Sequence, residues 1–306
     1  MSFTFDDDPI ALPTGAWAAT ERQTLRLGRK QVLSLTQGKH RNYVFPLYTP
    51  AGFLVTTEAP ADHPHHSSCW IAADHVHCRM PAMGGRFEDY TYNFYLNETF
   101  QGRAPGSILQ TGVKGRSTGD RSFRLTQKLE WRGPVEWAAP HGRIALTEER
   151  TIDIAAEDET YVIDFASRIS AADWDFAIGP TRHAFFNVRV AEAISVTSGG
   201  HVRDDRGRTG AAITGEGARW IDYAGPIGGG HVAGVTVIPE PKAENEDAWF
   251  VTDWGVVTVG PFRNRAASVT KGQSTTLRYR ILVHDGELAD AEIEDRHAAY
   301  ARTVGA

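Results

Sequence analysis

Ser122-Phe123-Arg124-Leu125-Thr126-Gln127-Lys128-Leu129-Glu130-Trp131 decides the fold class. Phe123, Leu125, Leu129 and Trp131 fall on one side at a period of two, and Ser122, Arg124, Thr126, Lys128 and Glu130 fall on the other. That is the pattern of a strand with one face buried and one in water. The same alternation recurs at Ile144/Leu146/Ile152/Ile154, Tyr161/Ile163/Phe165/Ile169 and Leu277/Tyr279/Ile281/Val283, each run bounded by Gly, Pro, Asp or Asn. Shorter strands are predicted near 31–36, 43–48, 106–113, 194–198, 232–238 and 250–260. The segment from Pro81 to Arg121, rich in Gly and aromatic residues, follows no single period.

So many strands, joined by short turns and without helical runs between them, predict an all-β fold: a large antiparallel two-sheet β-sandwich. Only the end of the chain reads as helix. Ala and Glu are frequent from 288 to 303, with Ile293, His297 and Tyr300 on one side, predicting a C-terminal helix on a sheet edge. No repeat or Pro/Ser-rich linker divides the 306 residues, which are expected to form one domain, 1–306.

A hydrophobic fraction of 41% with 23% charged residues is ordinary for a globular chain. The formal net charge of −6 provides no field to gather nucleic acid or anionic lipid, so neither nucleic acid nor a membrane is an expected partner. No apolar run reaches the length of a spanning helix and the first residues are acidic, which predicts a cytoplasmic protein. Cys69 and Cys78 are then expected as free thiols. Phosphate-cradling Gly loops, a dinucleotide fingerprint and a nucleophile elbow are all lacking from the sequence, which argues against nucleotide cofactors and serine hydrolysis.

Five of the 12 histidines lie between His63 and His77, most densely in Asp62-His63-Pro64-His65-His66-Ser67-Ser68-Cys69-Trp70. Proline keeps this stretch out of a central strand, so its side chains are free to converge on a cleft. Imidazoles there can bind hydroxyls, move protons or hold a metal. A second constellation is Arg182-His183-Ala184-Phe185-Phe186-Asn187-Val188-Arg189-Val190. If extended, it puts His183, Phe185, Asn187 and Arg189 on a polar groove and Ala184, Phe186, Val188 and Val190 in the core. Along Arg143–Ile154, Glu148 and Arg150 share the apolar side, as a buried ion pair would, whereas Glu149 faces the other way and is a candidate for the groove. Glu240, between Pro239 and Pro241, is a carboxylate held at a strand end, a candidate base or simply a turn residue.

The Asp62–Trp70 segment, Leu146-Thr-Glu-Glu-Arg150 with Arg189-Val-Ala-Glu192, Trp220-Ile-Asp222-Tyr-Ala-Gly225, and Trp249-Phe-Val-Thr-Asp-Trp-Gly255 with Leu282-Val-His-Asp-Gly286 resemble a bacterial family of unknown function. It is often labelled PmoA-like or "methane oxygenase PmoA", a label that fits poorly with a chain lacking spanning segments. The family is similar in turn to the galactose-mutarotase-like supersandwich proteins. Arg182-His-Ala-Phe-Phe-Asn187 resembles the aldose-epimerase motif whose histidine protonates the sugar ring oxygen, with Arg182 where the epimerases have an amide. Gly234–Pro241 resembles the segment bearing their catalytic glutamate.

The resemblance implies a carbohydrate-active enzyme using acid–base chemistry on a sugar or keto-sugar, by epimerisation or β-elimination, with His183, Glu240 and His66 as catalytic groups. His63, His65, Trp70, Glu149, Arg182, Asn187, Arg189 and Trp249 are then expected to bind the substrate. No cofactor is expected. The alternatives are a divalent metal on His63, His65 and His66, and a non-catalytic carbohydrate-binding or sensing protein. Monomer and homodimer are equally compatible with the sequence.

Overall fold

The structure, a computed structural model, describes residues 1–8, 21–242 and 247–305. Two eight-stranded antiparallel sheets dominate it. The first runs in the order Phe3–Asp7, Glu21–Leu27, Lys30–Gln37, Asn42–Leu47, Cys69–Ala73, Ala184–Arg189, Val256–Val259, Phe250–Val251. The second runs His201–Asp204, Ile221–Gly228, His231–Pro239, Ser274–Asp285, Thr160–Ser170, Ile144–Ala156, Ser122–Arg132, Ser107–Gly119.

Alternation explains the packing. Phe123, Leu125, Leu129 and Trp131 are all buried, as are Leu146, Ile152 and Ile154 on the neighbouring strand. These side chains interlock with residues of the first sheet in one contiguous apolar core. Glu148 and Arg150 are buried with them as an ion pair, Arg150 donating to both carboxylate oxygens at 2.8 and 3.0 Å. Trp131 Nε1 and Ser167 Oγ complete the coordination of Glu148, at 2.9 and 2.8 Å.

Three features depart from the sequence expectations. A third sheet, in the order Ala267–Val269, Asp175–Ile178, Val76–Pro81, Phe87–Asn93, Ala104–Pro105, takes up the first part of the stretch that showed no period. Residues 194–198 form short 3-10 turns rather than a strand, since the hydroxyls of Ser195, Thr197 and Ser198 bond one another and tighten the chain. The helix, Asp290–Val304, lies on the outer face of the second sheet and not on its edge. Ile293 and Tyr300 pack there on Val162, Trp220, Ile238 and Leu282, an apolar patch that would otherwise face water. Both cysteines are buried free thiols, and burial pushes each up to about 12.

Candidate functional site

The antiparallel pairing of Cys69–Ala73 with Ala184–Arg189 builds the centre of the site. Ala73 sits opposite Ala184, so Asp74 and His183 are the next pair beyond the ladder. Asp74 Oδ2 lies 3.1 Å from His183 Nδ1. Thr181 Oγ1 donates to the other oxygen of Asp74 and accepts from the His183 backbone N–H at 3.0 Å. The turn into His183 requires Gly179. Its φ is +86°, and a Cβ there would come within 2.7 Å of the Phe262 carbonyl oxygen.

The hydrogen bonds decide the tautomer of His183. Arg182 Nε lies 3.2 Å from His183 Nε2. A guanidinium only donates, so Nε2 presents its lone pair and the ring proton sits on Nδ1, directed at Asp74. Burial opposes the charge on Asp74, but the hydrogen bonds from His183 and Thr181, together with Arg103 at 3.6 Å, outweigh it and hold the carboxyl below its usual range.

Tyr95 joins this dyad to the histidine loop. The third sheet delivers it: Asn93 ends a strand, and its side-chain oxygen accepts from the N–H groups of Tyr95 and Leu96, both at 2.9 Å, turning the chain inward. The Tyr95 ring stacks on His183 with centroids 4.8 Å apart, and its hydroxyl lies 3.3 Å from His66 Nε2. Burial raises the Tyr95 phenol well above its usual range, so it keeps its proton.

The loop itself is a pile of rings. His63 lies parallel to His66, at 4.8 Å, and to Trp254, at 4.3 Å, which are themselves 5.6 Å apart. Trp254 also covers Arg189, whose guanidinium carbon is 4.6 Å from the ring centre. Arg189 Nη2 donates to both oxygens of Asp62 at 3.1 and 2.9 Å. Burial works against ionisation of Asp62, but the hydrogen bonds from His63 and Arg189 prevail and bring it down to about 2. Burial, aided by the charge of Arg41, lowers His65 to about 4; burial, aided by His65, His63 and Arg189, lowers His66 to about 2. Several buried polar atoms here have no partner: His66 Nδ1, Trp70 Nε1, Arg189 Nε and Nη1, and Arg41 Nε. Unpaired buried groups are costly, and five such atoms lie in and around this loop.

The structure therefore brings His63, His65, His66, Trp70, Arg182, His183, Asn187 and Arg189 into one region, with some roles changed. Asn187 is wholly buried and ties strands together, donating to the carbonyls of Trp70 and Phe185 and accepting from Thr258 at 2.8 Å. Phe185 does not line a polar groove: it stacks on Trp131 of the second sheet at 6.0 Å, as Phe186 does on Tyr279 at 4.6 Å.

Three expected residues lie elsewhere. Trp249 is a core residue, fully buried and bonded to the Ala218 carbonyl at 3.0 Å; the ring on the site is Trp254. Glu149 is exposed on the outer face of the second sheet, between Lys128 and Arg168 on the flanking strands. Glu240 follows a strand of the second sheet, pairs with Arg278 at 3.0 Å and shares a groove with Lys242, Asp247 and His297 beside the C-terminal helix. Asp74, Tyr95, Arg103 and Trp254 are the residues that sequence reasoning missed. The signal for Asp74 was the pairing of two apolar runs, 69–73 and 184–190.

A metal on His63, His65 and His66 is not supported by the donor geometry. Among the described residues, the one set of three or more His, Cys, Asp or Glu ligand atoms within 4.8 Å of one another is His201, Asp222 and Glu287. There Asp222 is already bound by Arg203 at 3.1 Å, His284 at 3.1 Å and Thr236 at 2.9 Å. A guanidinium so close opposes a cation, and Arg203 also donates to the Leu288 carbonyl and pairs with Asp290, anchoring the start of the helix.

Solved structures similar to this chain include a "Putative aldose 1-epimerase" from Escherichia coli K12, at 11% identity and a TM-score of 0.34, covering 88% of this chain and 100% of that one. A "Putative kojibiose phosphorylase" from human microbiome matches at 7% identity and a TM-score of 0.32, covering 92% of this chain. A variant of a glycoside hydrolase family 97 enzyme from Pseudoalteromonas sp. strain K8 matches at 10% identity and a TM-score of 0.31, covering 93% of this chain. The chain spans 32% and 34% of the length of the last two. No curated protein matches in sequence. Residues 22–298 match the family of unknown function DUF6807, and the chain belongs to that family.

Proposed function

We propose that this protein is a carbohydrate-directed acid–base enzyme in which His183 is the proton-transfer group. The observation that carries this reading is the pair of hydrogen bonds on His183: Nδ1–H to Asp74 on one side, and a lone pair on Nε2 facing Arg182 on the other. A neutral imidazole fixed in this tautomer by a buried carboxylate is built to accept a proton at Nε2. Asp74 and the π-face of Tyr95 then stabilise the imidazolium that forms. Arg182 is exposed and able to yield Nε2 to the substrate proton.

Flat rings beside hydrogen-bond donors suit a sugar, which offers both C–H faces and hydroxyls. Trp254 and Phe250, both part-exposed, supply the rings. His183 would take the proton from an anomeric hydroxyl as the bond from C1 to the ring oxygen breaks and return it to that oxygen, or take one from the carbon beside a keto group and leave an enolate. Either transfer would contribute ~10²–10⁴-fold to the rate.

The test is proton NMR in D₂O with aldoses and keto-sugars, following anomeric exchange and loss of α-protons. Wild type should turn over at least one class, and His183→Ala and Asp74→Asn should each slow it by ~10²-fold or more. Undiminished turnover by His183→Ala overturns the proposal. Sugar binding without turnover, unaffected by His183→Ala, would replace it with a binding or sensing role.

A further inference from the structure

Charges around the dyad do not cancel. The carboxylates of Asp62 and Asp74 are both engaged, Asp62 by Arg189 and Asp74 by His183 and Arg103. Arg41, Arg182 and Arg263 have no carboxylate of the described residues within 4.0 Å. Arg41 is 2% exposed and spends its Nη atoms on the His65 carbonyl, Ser67 Oγ and the Asn97 side-chain oxygen, all uncharged acceptors. Among the described residues, then, no carboxylate pairs with this guanidinium in the wall behind His65.

Arg182 and Arg263 are the accessible part of this excess. Thr181 N–H donates to the Phe262 carbonyl at 2.8 Å, so the two stretches carrying these guanidiniums run side by side at His183. Arg182 lies over the Phe250 ring, 4.9 Å from its centre, and Arg263 Nη1 is buried with no partner. Burial and the charge of Arg182 both lower the pKa of Arg263. Two neighbouring guanidiniums with no counter-charge among the described residues repel each other, and a neutral sugar would leave that repulsion in place. A forked guanidinium is suited to an oxyanion, which would remove it.

We infer that the sugar taken by this site carries an oxyanion substituent, a carboxylate or a phosphate, which docks on Arg182 and Arg263. The inference rests on the reading of His183 as the centre of a sugar site. It narrows that reading to sugar acids and sugar phosphates.

The test is calorimetric titration of the full chain with matched ligands: glucose, glucuronate and glucose 6-phosphate, and galactose with galacturonate. At least one anionic member should bind about tenfold or more tightly than its neutral parent. The preference should shrink at high ionic strength. It should also shrink in Arg182→Gln and Arg263→Gln, and Arg263→Gln should retain binding of the neutral parent. A carboxylate preferred over phosphate, or the reverse, identifies the oxyanion. Neutral parents binding as well as their anions, or a preference that survives both substitutions, overturns the inference and leaves the sugar site standing. If none of the five binds, the inference falls, and the reading of His183 is decided by the turnover test.

Discussion

Asp74 and His183 meet at 3.1 Å although 109 positions separate them in the chain. The contact fixes where the imidazole carries its proton. Nitrogen-15 NMR of the histidine side chains should show His183 protonated at Nδ1 and not at Nε2 near neutral pH. Asp74→Asn should disturb that pattern while the backbone spectrum is otherwise preserved. A ring protonated at Nε2 in wild type would exclude His183 as the acceptor.

The histidine loop makes stability depend on acidity. His65 and His66 are depressed on folding, to about 4 and about 2, so the unfolded chain binds more protons than the folded one below the ordinary histidine value. Their contribution is complete above about pH 6.5 and is lost as the pH falls towards those values. Asp62, at about 2, adds a further loss only below its unfolded value of about 3.9. Melting temperature should therefore fall between about pH 6.5 and 4. His65→Gln combined with His66→Gln should flatten that interval and leave the steeper drop below about pH 4. An equal slope in both proteins would refute the assignment.

Two tryptophans five positions apart should behave oppositely. Trp249→Ala empties a fully buried position and should cost about 3–5 kcal/mol in urea unfolding. Trp254→Ala removes a part-exposed ring resting on His63 and Arg189, so it should cost much less stability. It should weaken sugar binding roughly tenfold. Equal losses of stability would contradict their placement.

The Glu148–Arg150 pair should tolerate joint replacement better than a single one. Glu148→Gln leaves a buried guanidinium uncompensated, a loss of about 3–5 kcal/mol in urea unfolding. Glu148→Gln with Arg150→Met should recover most of it, because the amide at 148 still accepts from Trp131 Nε1 and donates to Ser167 Oγ. A double variant less stable than the single one would show that the pair contributes net stability.

Much of the framework could be read from period-two patterning, because a half-buried strand leaves that pattern wherever one face meets water. Phe123, Leu125, Leu129 and Trp131 behave as their spacing implies. Ala184–Arg189 is buried on both faces, so alternation there carried no information, and Phe185 and Phe186 both enter the core. The histidine loop announced itself by composition. Asp74, Tyr95 and Trp254 did not, since each is ordinary in its own stretch and acquires its role from strand pairing or from a turn. Glu240 shows the converse: held firmly between prolines, it faces Arg278 on the second sheet.

The register of Ala73 against Ala184 has a consequence for how this protein would lose activity. The dyad belongs to no loop that could pre-assemble it; it exists only once the central strands of the first sheet are zipped in the right frame, and a slip of one residue would turn the two groups to opposite sides. If His183 is the proton-transfer group, turnover should vanish in step with sheet melting, which would make it a sensitive gauge of intact pairing.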